Sequence, residues 1–379
     1  MPITDRHPIK ILHVIGVMDI GGAESWLMNV LRHIDRQHYQ LDFVTLHGRQ
    51  GAYDDEIRRL GSRIIPCPYY HHPLRFIRDF KQILHDYGPY DIVHSHVHYY
   101  SGLVVLAARI AGTRGRIVHS HTSVVESPTT ISRHVYLKIS RFLIERFATL
   151  TLAVSQKAAY SLLGADWHQS RLRIHYCGID TSTFTGPIDK LALRHELHIP
   201  PSAYTIGHVG RFEEVKNHRL ILKIFAEISL IDPNVHLVLV GDGSLRSIIE
   251  QYACKLGIRN KVTFTGARPD VARIMSGALD LFLFPSQYEG MGLAVIEAQA
   301  AGIPCVVSNV IPDEAIIVPH FVHRLPLTIP PQQWAKKVMA VQHSHLDSTA
   351  NHALQLVEQS PFNIINEVKE LEQIYGDQL

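Results

Sequence analysis

The feature that most constrains this chain is a rhythm in which short apolar, β-branched runs alternate with longer amphipathic segments, in two successive series. The first series is KILHVI (10–15), LDFVTL (41–46), DIVHSH (91–96), RIVHSH (116–121), TLTLAV (149–154) and LRIHY (172–176). Runs of this kind, separated by stretches long enough for helices, predict a parallel sheet with crossover connections. After the first run, Gly21-Gly22 lead into Leu27, Val30, Leu31 and Ile34, spaced as one buried helical face. The rhythm lapses between Gly178 and Pro201, where Gly186-Pro187 and Pro200-Pro201 fall. It restarts with YTIGHV (204–209), VHLVLV (235–240), KVTFTG (261–266), DLFLFP (280–285) and PCVVS (304–308). The expected fold class is therefore α/β, with two Rossmann-like, doubly wound domains facing each other across a cleft. The expected boundaries are a first domain at 1–185, a linker at 186–203, a second domain at 204–360 and a terminal helix within 361–379 that packs back toward the first domain. The 379 residues suit two domains. Residues 320–352 have no clear period.

Composition narrows the function classes. The 37 Lys and Arg nearly balance 35 Asp and Glu, so the formal charge of +2 gives no support to a nucleic-acid partner. The balance is uneven: residues 1–185 carry 21 basic and 15 acidic side chains, and 186–379 carry 16 and 20. Four scattered cysteines, at 67, 177, 254 and 305, match neither a disulfide framework nor a metal knuckle, and a reducing cytosol is the default expectation. The longest apolar stretch, from Gly102, is interrupted by Arg109, well short of the ~20 residues a membrane span requires. The opening residues lack the apolar core of a signal peptide.

Four places carry candidate chemistry. Gly21-Gly22-Ala23-Glu24 stands where a strand gives way to a helix, so backbone N–H groups there can meet an anion, or the glycines can simply make a tight turn. Arg211 and Lys216, five residues apart around a strand-to-helix turn, can converge on one diphosphate or remain two solvated cations. Glu289 and Glu297 flank the glycines of EGMGLAVIE after a buried strand, where carboxylates can accept hydrogen bonds from sugar and ribose hydroxyls. The alternative there is a capping glutamate on a solvated helix. The His94-Ser95-His96 and His119-Ser120-His121 strand ends place each pair of imidazoles on one strand face. Neither pair has a cysteine or carboxylate at ligand spacing, so no metal is expected. A nicotinamide-type dinucleotide site is not supported, because Gly16 to Gly22 lacks the G-x-G-x-x-G spacing.

In chain order, GGAE (21–24), the two HSH strand ends, YCGID (176–180), GR-x4-K (210–216), GDG (241–243) and E-x7-E (289–297) resemble the retaining GT-B glycosyltransferases of family 4. SNVIPDEAI (308–316) is most similar to the branch that builds capsular and exopolysaccharides. The resemblance implies a nucleotide-diphosphate sugar as substrate, UDP-sugars first and GDP-mannose second, with no cofactor and no metal. It places Arg211, Lys216 and the Gly22 amide on the diphosphate, Glu289 on sugar hydroxyls, and Glu297 on ribose. It also places the amides of Gly290, Met291, Gly292 and Leu293 around sugar and phosphate, the base near Gly241, Asp242, Gly243 and Arg268, and His121 on the donor sugar. Glu24, His94 and His96 fall on the acceptor side, toward a glycan or lipid-linked acceptor. Asn309 departs from the family, where aspartate is common, as does HFVHRLPLTIP (320–330). A catalytically silent accessory protein on the same fold is the alternative.

One segment points to a membrane surface. Residues 133–146 place Val135, Ile139, Phe142 and Leu143 on one helical face, with Arg133, Lys138, Arg141 and Arg146 near its polar side. Such a helix either lies on an anionic bilayer, making the protein cytoplasmic and peripheral, or packs on its own sheet.

Overall fold

The computed structural model describes residues 7–123, 130–342 and 350–379. The chain divides into two compact units, one formed by Met1–Gly178 with Ile364–Leu379, the other by Ile179–Asn363.

The first unit is a seven-stranded parallel sheet of β1 (Ile9–Ile15), β2 (Tyr39–Thr45), β3 (Ile64–Pro66), β4 (Ile92–Ser95), β5 (Gly115–Ser120), β6 (Leu150–Ala153) and β7 (Leu172–Ile174). Its order is β3-β2-β1-β4-β5-β6-β7. The central strands are buried on both faces, which explains their nearly continuous apolar sequence. The second unit holds six parallel strands, β8 (Tyr204–Val209), β9 (Val235–Val240), β10 (Val262–Gly266), β11 (Leu281–Phe284), β12 (Cys305–Ser308) and β13 (Val322–Leu325), in the order β10-β9-β8-β11-β12-β13. In each sheet the order reverses direction beside the first strand, the switch point at which open α/β sheets bind ligands beyond the strand ends. Two strands are absent from the expected rhythm. β3 is only three residues long, and β13, VHRL, is a half-exposed edge strand within the stretch that has no clear period. Part of that stretch, 343–349, lies outside the described residues.

The division between units falls after Gly178 rather than within 186–203. Residues 186–203 are folded into the second unit: Asp189 accepts a hydrogen bond from the Ala192 N–H and caps the Lys190–Glu196 helix, and Arg194 reaches the Thr205 hydroxyl. The prolines that interrupt the rhythm therefore shape a packed connection. The chain's two crossings run side by side. The Ile179 N–H donates to the Phe362 carbonyl at 2.7 Å, and a Cβ on Gly178 would lie 2.7 Å from the Ile364 Cα.

The helix Ile364–Gly376 belongs to the first unit, where Val368, Leu371, Ile374 and Tyr375 are buried. Polar contacts fix its register. Glu367 Oε1 lies 2.6 Å from His175 Nε2, Glu370 Oε2 lies 3.6 Å from His175 Nδ1, and the Tyr375 hydroxyl is 3.0 Å from His94 Nδ1. Burial alone would strip the proton from His175, but the hydrogen bonds and charges of Glu367 and Glu370 outweigh it and raise the imidazole to about 9. Burial also pushes the Glu367 carboxyl up, against the pull of His175.

Removing one member of this pair leaves the other buried without compensation, so Glu367→Ala is expected to destabilise the first unit by about 3 kcal/mol. The His175→Phe/Glu367→Leu double variant should lose less. Urea unfolding at pH 7.5 checks this, and a single variant no less stable than the double would contradict it.

Candidate functional site

In the second unit, β8 ends in Gly210-Arg211-Phe212, and the loop after β9, Gly241-Asp242-Gly243, lies directly against it. The Phe212 N–H donates to the Asp242 carbonyl at 2.9 Å, and the Gly210 N–H to the Val240 carbonyl at 3.0 Å. Gly241 has φ +137°, and a Cβ there would lie 2.1 Å from the Gly210 carbonyl oxygen, so no other residue fits without moving backbone. The Asp242 carboxylate accepts the Gly243 N–H and pairs with Arg246, which locks the loop. Two glycine loops are thus fused at the C-terminal edge of neighbouring strands.

Arg211 is half-exposed, with Nη1 3.7 Å from Glu213 Oε1. Lys216 and Glu289, 73 residues apart in sequence, meet: Lys216 Nζ donates to Glu289 Oε1 at 2.7 Å, and Nζ stands 5.1 Å from the centre of the Phe284 ring. The connection is built from β11. The Asn217 side chain donates to the Pro285 carbonyl and the Gln287 N–H donates to the Val215 carbonyl, so the segment carrying Lys216 is tied to the segment leading to Glu289. Asn217 is left-handed (φ +58°), which turns the chain from Lys216 into the helix His218–Ile231. Gly290, Met291 and Gly292 are buried, and Gly292 (φ +85°) opens the helix Leu293–Ala300. Glu297, on that helix, is partly exposed, and the loss of surrounding water raises its carboxyl to about 7. Arg268 sits in a closed ion-pair network with Asp270 and Glu196, shared by Arg273. Those carboxylates hold its guanidinium and raise its pKa.

Gly22, Glu24, His94, His96 and His121 belong to the first unit. Gly22 starts the helix Gly22–His33, and Glu24 lies in its first turn. A Cβ on Gly22 would meet nothing within 4 Å, and its φ is not positive, so neither packing nor conformation demands glycine there.

The HSH strand ends form part of a larger assembly. β1 contributes His13, β4 leads to His94 and His96, β5 to His119 and His121, and the chain after β7 contributes His175; His96, His119, His121 and His175 pack around Trp26, and His13 and His94 against His96. His13 Nδ1 lies 3.0 Å from His96 Nε2, His96 Nδ1 lies 2.9 Å from His121 Nε2, and His121 Nδ1 lies 3.7 Å from Cys177 Sγ. Both ring nitrogens of His121 therefore point into the first unit. Burial holds His94, His96 and His119 well below the usual histidine range and lowers His13 and His121 to about 3. Two triplets, His13/His94/His96 and His96/His119/His121, bring ring nitrogens within 4.8 Å of one another, close enough to share an ion if the rings gave up their mutual hydrogen bonds. His13, His175 and Glu367 were not singled out from sequence. The available signal was a polar residue within otherwise apolar strands, as in KILHVI and LRIHY.

Two family models match the chain: Glycosyltransferase Family 4 over residues 20–183, and Glycosyl transferases group 1 over 189–355. EpsF of Bacillus subtilis (strain 168), named as a glycosyltransferase, is 35% identical over 335 residues, covering 87% of this chain and 86% of its own. CapH of Staphylococcus aureus, named as a capsular polysaccharide biosynthesis glycosyltransferase, is 26% identical over 97% of this chain and 98% of its own. HepE of Anabaena, crystallised with UDP and glucose, superimposes with a TM-score of 0.80 at 22% identity, over 97% of this chain and 100% of that one.

The five depressed histidines make the first unit acid-sensitive. A buried imidazole that refuses a proton contributes stability above its ordinary pKa of about 6.5, and that stability is lost as pH falls, by about 1.4 kcal/mol per pH unit for each ring. The urea midpoint is expected to drop steeply between about pH 6.5 and pH 5. His119→Phe replaces a ring whose two nitrogens have no hydrogen-bond partner among the described residues, and should flatten that slope by about one proton. An unchanged slope would count against the neutral cluster.

With two matching family models, a relative above 30% identity across most of both chains and two parallel Rossmann-like units, the chain belongs to the glycosyltransferases of the GT-B fold, built from a Glycosyltransferase Family 4 unit and a Glycosyl transferases group 1 unit.

Proposed function

We propose that this glycosyltransferase moves a sugar from a UDP-sugar to a glycan or lipid-linked acceptor during assembly of a bacterial surface polysaccharide, with retention of anomeric configuration and without a metal. The observation that carries this reading is the Lys216–Glu289 pair beside two fused glycine loops: a cation for a leaving diphosphate, joined to a carboxylate for sugar hydroxyls. The UDP bound to HepE and the capsular role in the name of CapH support the donor and the product class.

In this reading Arg211 and Lys216 meet the diphosphate, Glu297 meets ribose, and the amides of Gly290 to Leu293 line sugar and phosphate. Asp242 acts indirectly, by holding the Gly241–Gly243 loop near the base. Arg268 keeps its carboxylate partners and shapes the base side. The bond from the anomeric carbon to the diphosphate oxygen breaks as the bond to the acceptor oxygen forms on the same face. The acceptor proton passes to the leaving phosphate. Two cations already meet the charge that develops on the leaving group, which removes the need for a metal and makes electrostatic stabilisation the main source of rate. The presence of Arg211, Lys216, Glu289 and Glu297 favours an enzyme over a silent accessory protein.

A thermal-shift screen over UDP-, GDP-, ADP- and TDP-sugars identifies the donor, because a specific ligand raises the melting temperature by mass action. With that donor, transfer is expected to persist in excess chelator. Glu289→Ala should abolish transfer while calorimetry still detects UDP binding. Loss of activity that magnesium restores would refute the metal-free reading, and unimpaired transfer by Glu289→Ala would remove Glu289 from the donor site.

The helix Ile131–Phe147 supports a membrane-borne acceptor. It packs inward through Leu137, Ser140 and Ile144, and leaves Ile131, Val135, Ile139 and Phe142 exposed at 86%, 47%, 52% and 62%. At about 100° per residue these four span an arc of roughly 80°, with Lys138 just outside one margin and Arg146 within the arc in the last turn. Leu143 is partly buried, and Arg141 turns inward to the Leu162 carbonyl and the Tyr99 hydroxyl, so neither belongs to the exposed stripe. An apolar stripe with cations beside and within it suits an anionic bilayer, with an attraction that salt weakens. No helix among the described residues is long and apolar enough to cross a membrane. Flotation with phosphatidylglycerol vesicles should recover the protein at low salt and less of it at high salt. A Phe142→Ser/Lys138→Glu variant should stay with the soluble fraction, and wild type that does so at low salt would refute direct docking.

A further inference from the structure

Three neutral imidazoles lie in a row. His13, His96 and His121 touch through His13 Nδ1 to His96 Nε2 (3.0 Å) and His96 Nδ1 to His121 Nε2 (2.9 Å), and Cys177 Sγ follows at 3.7 Å from His121 Nδ1. A neutral imidazole carries one N–H, so each contact needs a donor on one side and a bare nitrogen or sulfur on the other. The row can therefore point in only two directions. If Cys177 donates, every Nε2 carries the proton, and the far end leaves an N–H on His13 Nε2, which is buried and has no partner among the described residues. In the opposite direction every Nδ1 carries the proton, Cys177 accepts, and His13 Nε2 is left as a lone pair. Buried N–H groups without partners are rarer than underused acceptors. The second direction is favoured, and each donation polarises the next.

We propose that His96 is a positioning residue for His121: its Nδ1–H fixes His121 as the Nδ1-protonated tautomer and holds the ring turned into the first unit, with His13 orienting His96 from behind. What His121 then offers a donor sugar is its main chain and the carbon edge of its ring. Trp26 helps to hold the ring planes, with its centroid 5.8 Å from His96 and 5.4 Å from His121. This inference rests on the reading that His121 meets the donor. Preorganisation of this kind acts on rate, since a misplacement of about 1 Å near the reacting centre can cost roughly a hundredfold.

The test uses the full chain labelled with nitrogen-15 histidine, without donor. Long-range proton–nitrogen spectra, assigned by single variants, should show His121 and His96 protonated at Nδ1 and bare at Nε2. In His96→Leu the His121 tautomer should change or begin to exchange. In His96→Asn, whose amide N–H reaches the position of the imidazole Nδ1–H, it should hold. The rate of UDP release, measured with the UDP-sugar that gives the largest thermal shift, should fall roughly a hundredfold in His96→Leu, in kcat rather than KM. His96→Asn should restore most of it. The proposal is overturned if wild-type His121 is protonated at Nε2, if the purified protein holds an equivalent of transition metal on these rings, or if the Leu and Asn variants are equally impaired while both melt like wild type. A tautomer that responds as stated while UDP release stays unchanged would remove His121 from the donor site and leave the hydrogen-bonded row intact.

Discussion

Every strand in both sheets is parallel, and that constraint organises the rest of the molecule. Parallel strands deliver all their C-terminal ends to one edge, so loops far apart in sequence open side by side. This brings Gly210 against Gly241 beyond β8 and β9, and sets His13 beside His94 across β1 and β4, with the His96 ring reaching back to His13. It also explains why the candidate groups cluster just beyond strand ends and not on outer helix faces, the stripe on Ile131–Phe147 excepted.

The two units use that edge in opposite electrostatic ways. At the second-unit edge charges are present but paired: Lys216 with Glu289 at 2.7 Å, and Arg211 near Glu213 at 3.7 Å. In the function proposed above, a diphosphate would meet cations whose fields are partly cancelled, and the Lys216–Glu289 pair would link phosphate contact to the placement of Glu289. At the first-unit edge charge is excluded. Burial holds five of these imidazoles below the usual histidine range, while His175, raised by Glu367 and Glu370, is matched by those carboxylates from the terminal helix. Packing a row of like groups this closely is affordable only while they stay uncharged, because two imidazolium ions about 3 Å apart in a dry interior would repel strongly.

Much of the fold was legible in sequence because buried parallel strands are continuous apolar runs, and their alternation with helices survives without any alignment. β3 and β13 escaped because a three-residue strand has no period and an edge strand has no buried face to enforce one. The boundary between units was misplaced for a related reason. Proline and glycine mark breaks in regular structure, and Gly186 to Pro201 is such a break, but one that is packed. The real crossing at Gly178 shows only as a glycine in YCGID, whose need arises from a chain segment 186 residues downstream at Ile364. For the site, GR-x4-K and E-x7-E located Lys216 and Glu289 separately, but nothing in either spacing says that the two side chains pair. His13 was hidden as an isolated imidazole in an apolar strand, and Glu367 as one of several acidic residues on a polar-rich terminal helix. Their partners are set by strand order, which local sequence does not encode.

The helix Ile131–Phe147 shows the same limit in reverse. Its amphipathic pattern was plain, yet the pattern cannot say which of two apolar faces is turned inward. Leu137 and Ile144 form a narrow inward strip against the helix Ser101–Ile110, with Gly102 allowing close approach to Ser140. That strip is enough to hold the helix, so Ile131, Val135, Ile139 and Phe142 are not needed for packing. Arg141 is drawn inward by carbonyl and hydroxyl oxygens. Of the remaining cations, Lys138 borders the stripe and Arg146 lies within its last turn, so the exposed face combines apolar side chains with positive charge.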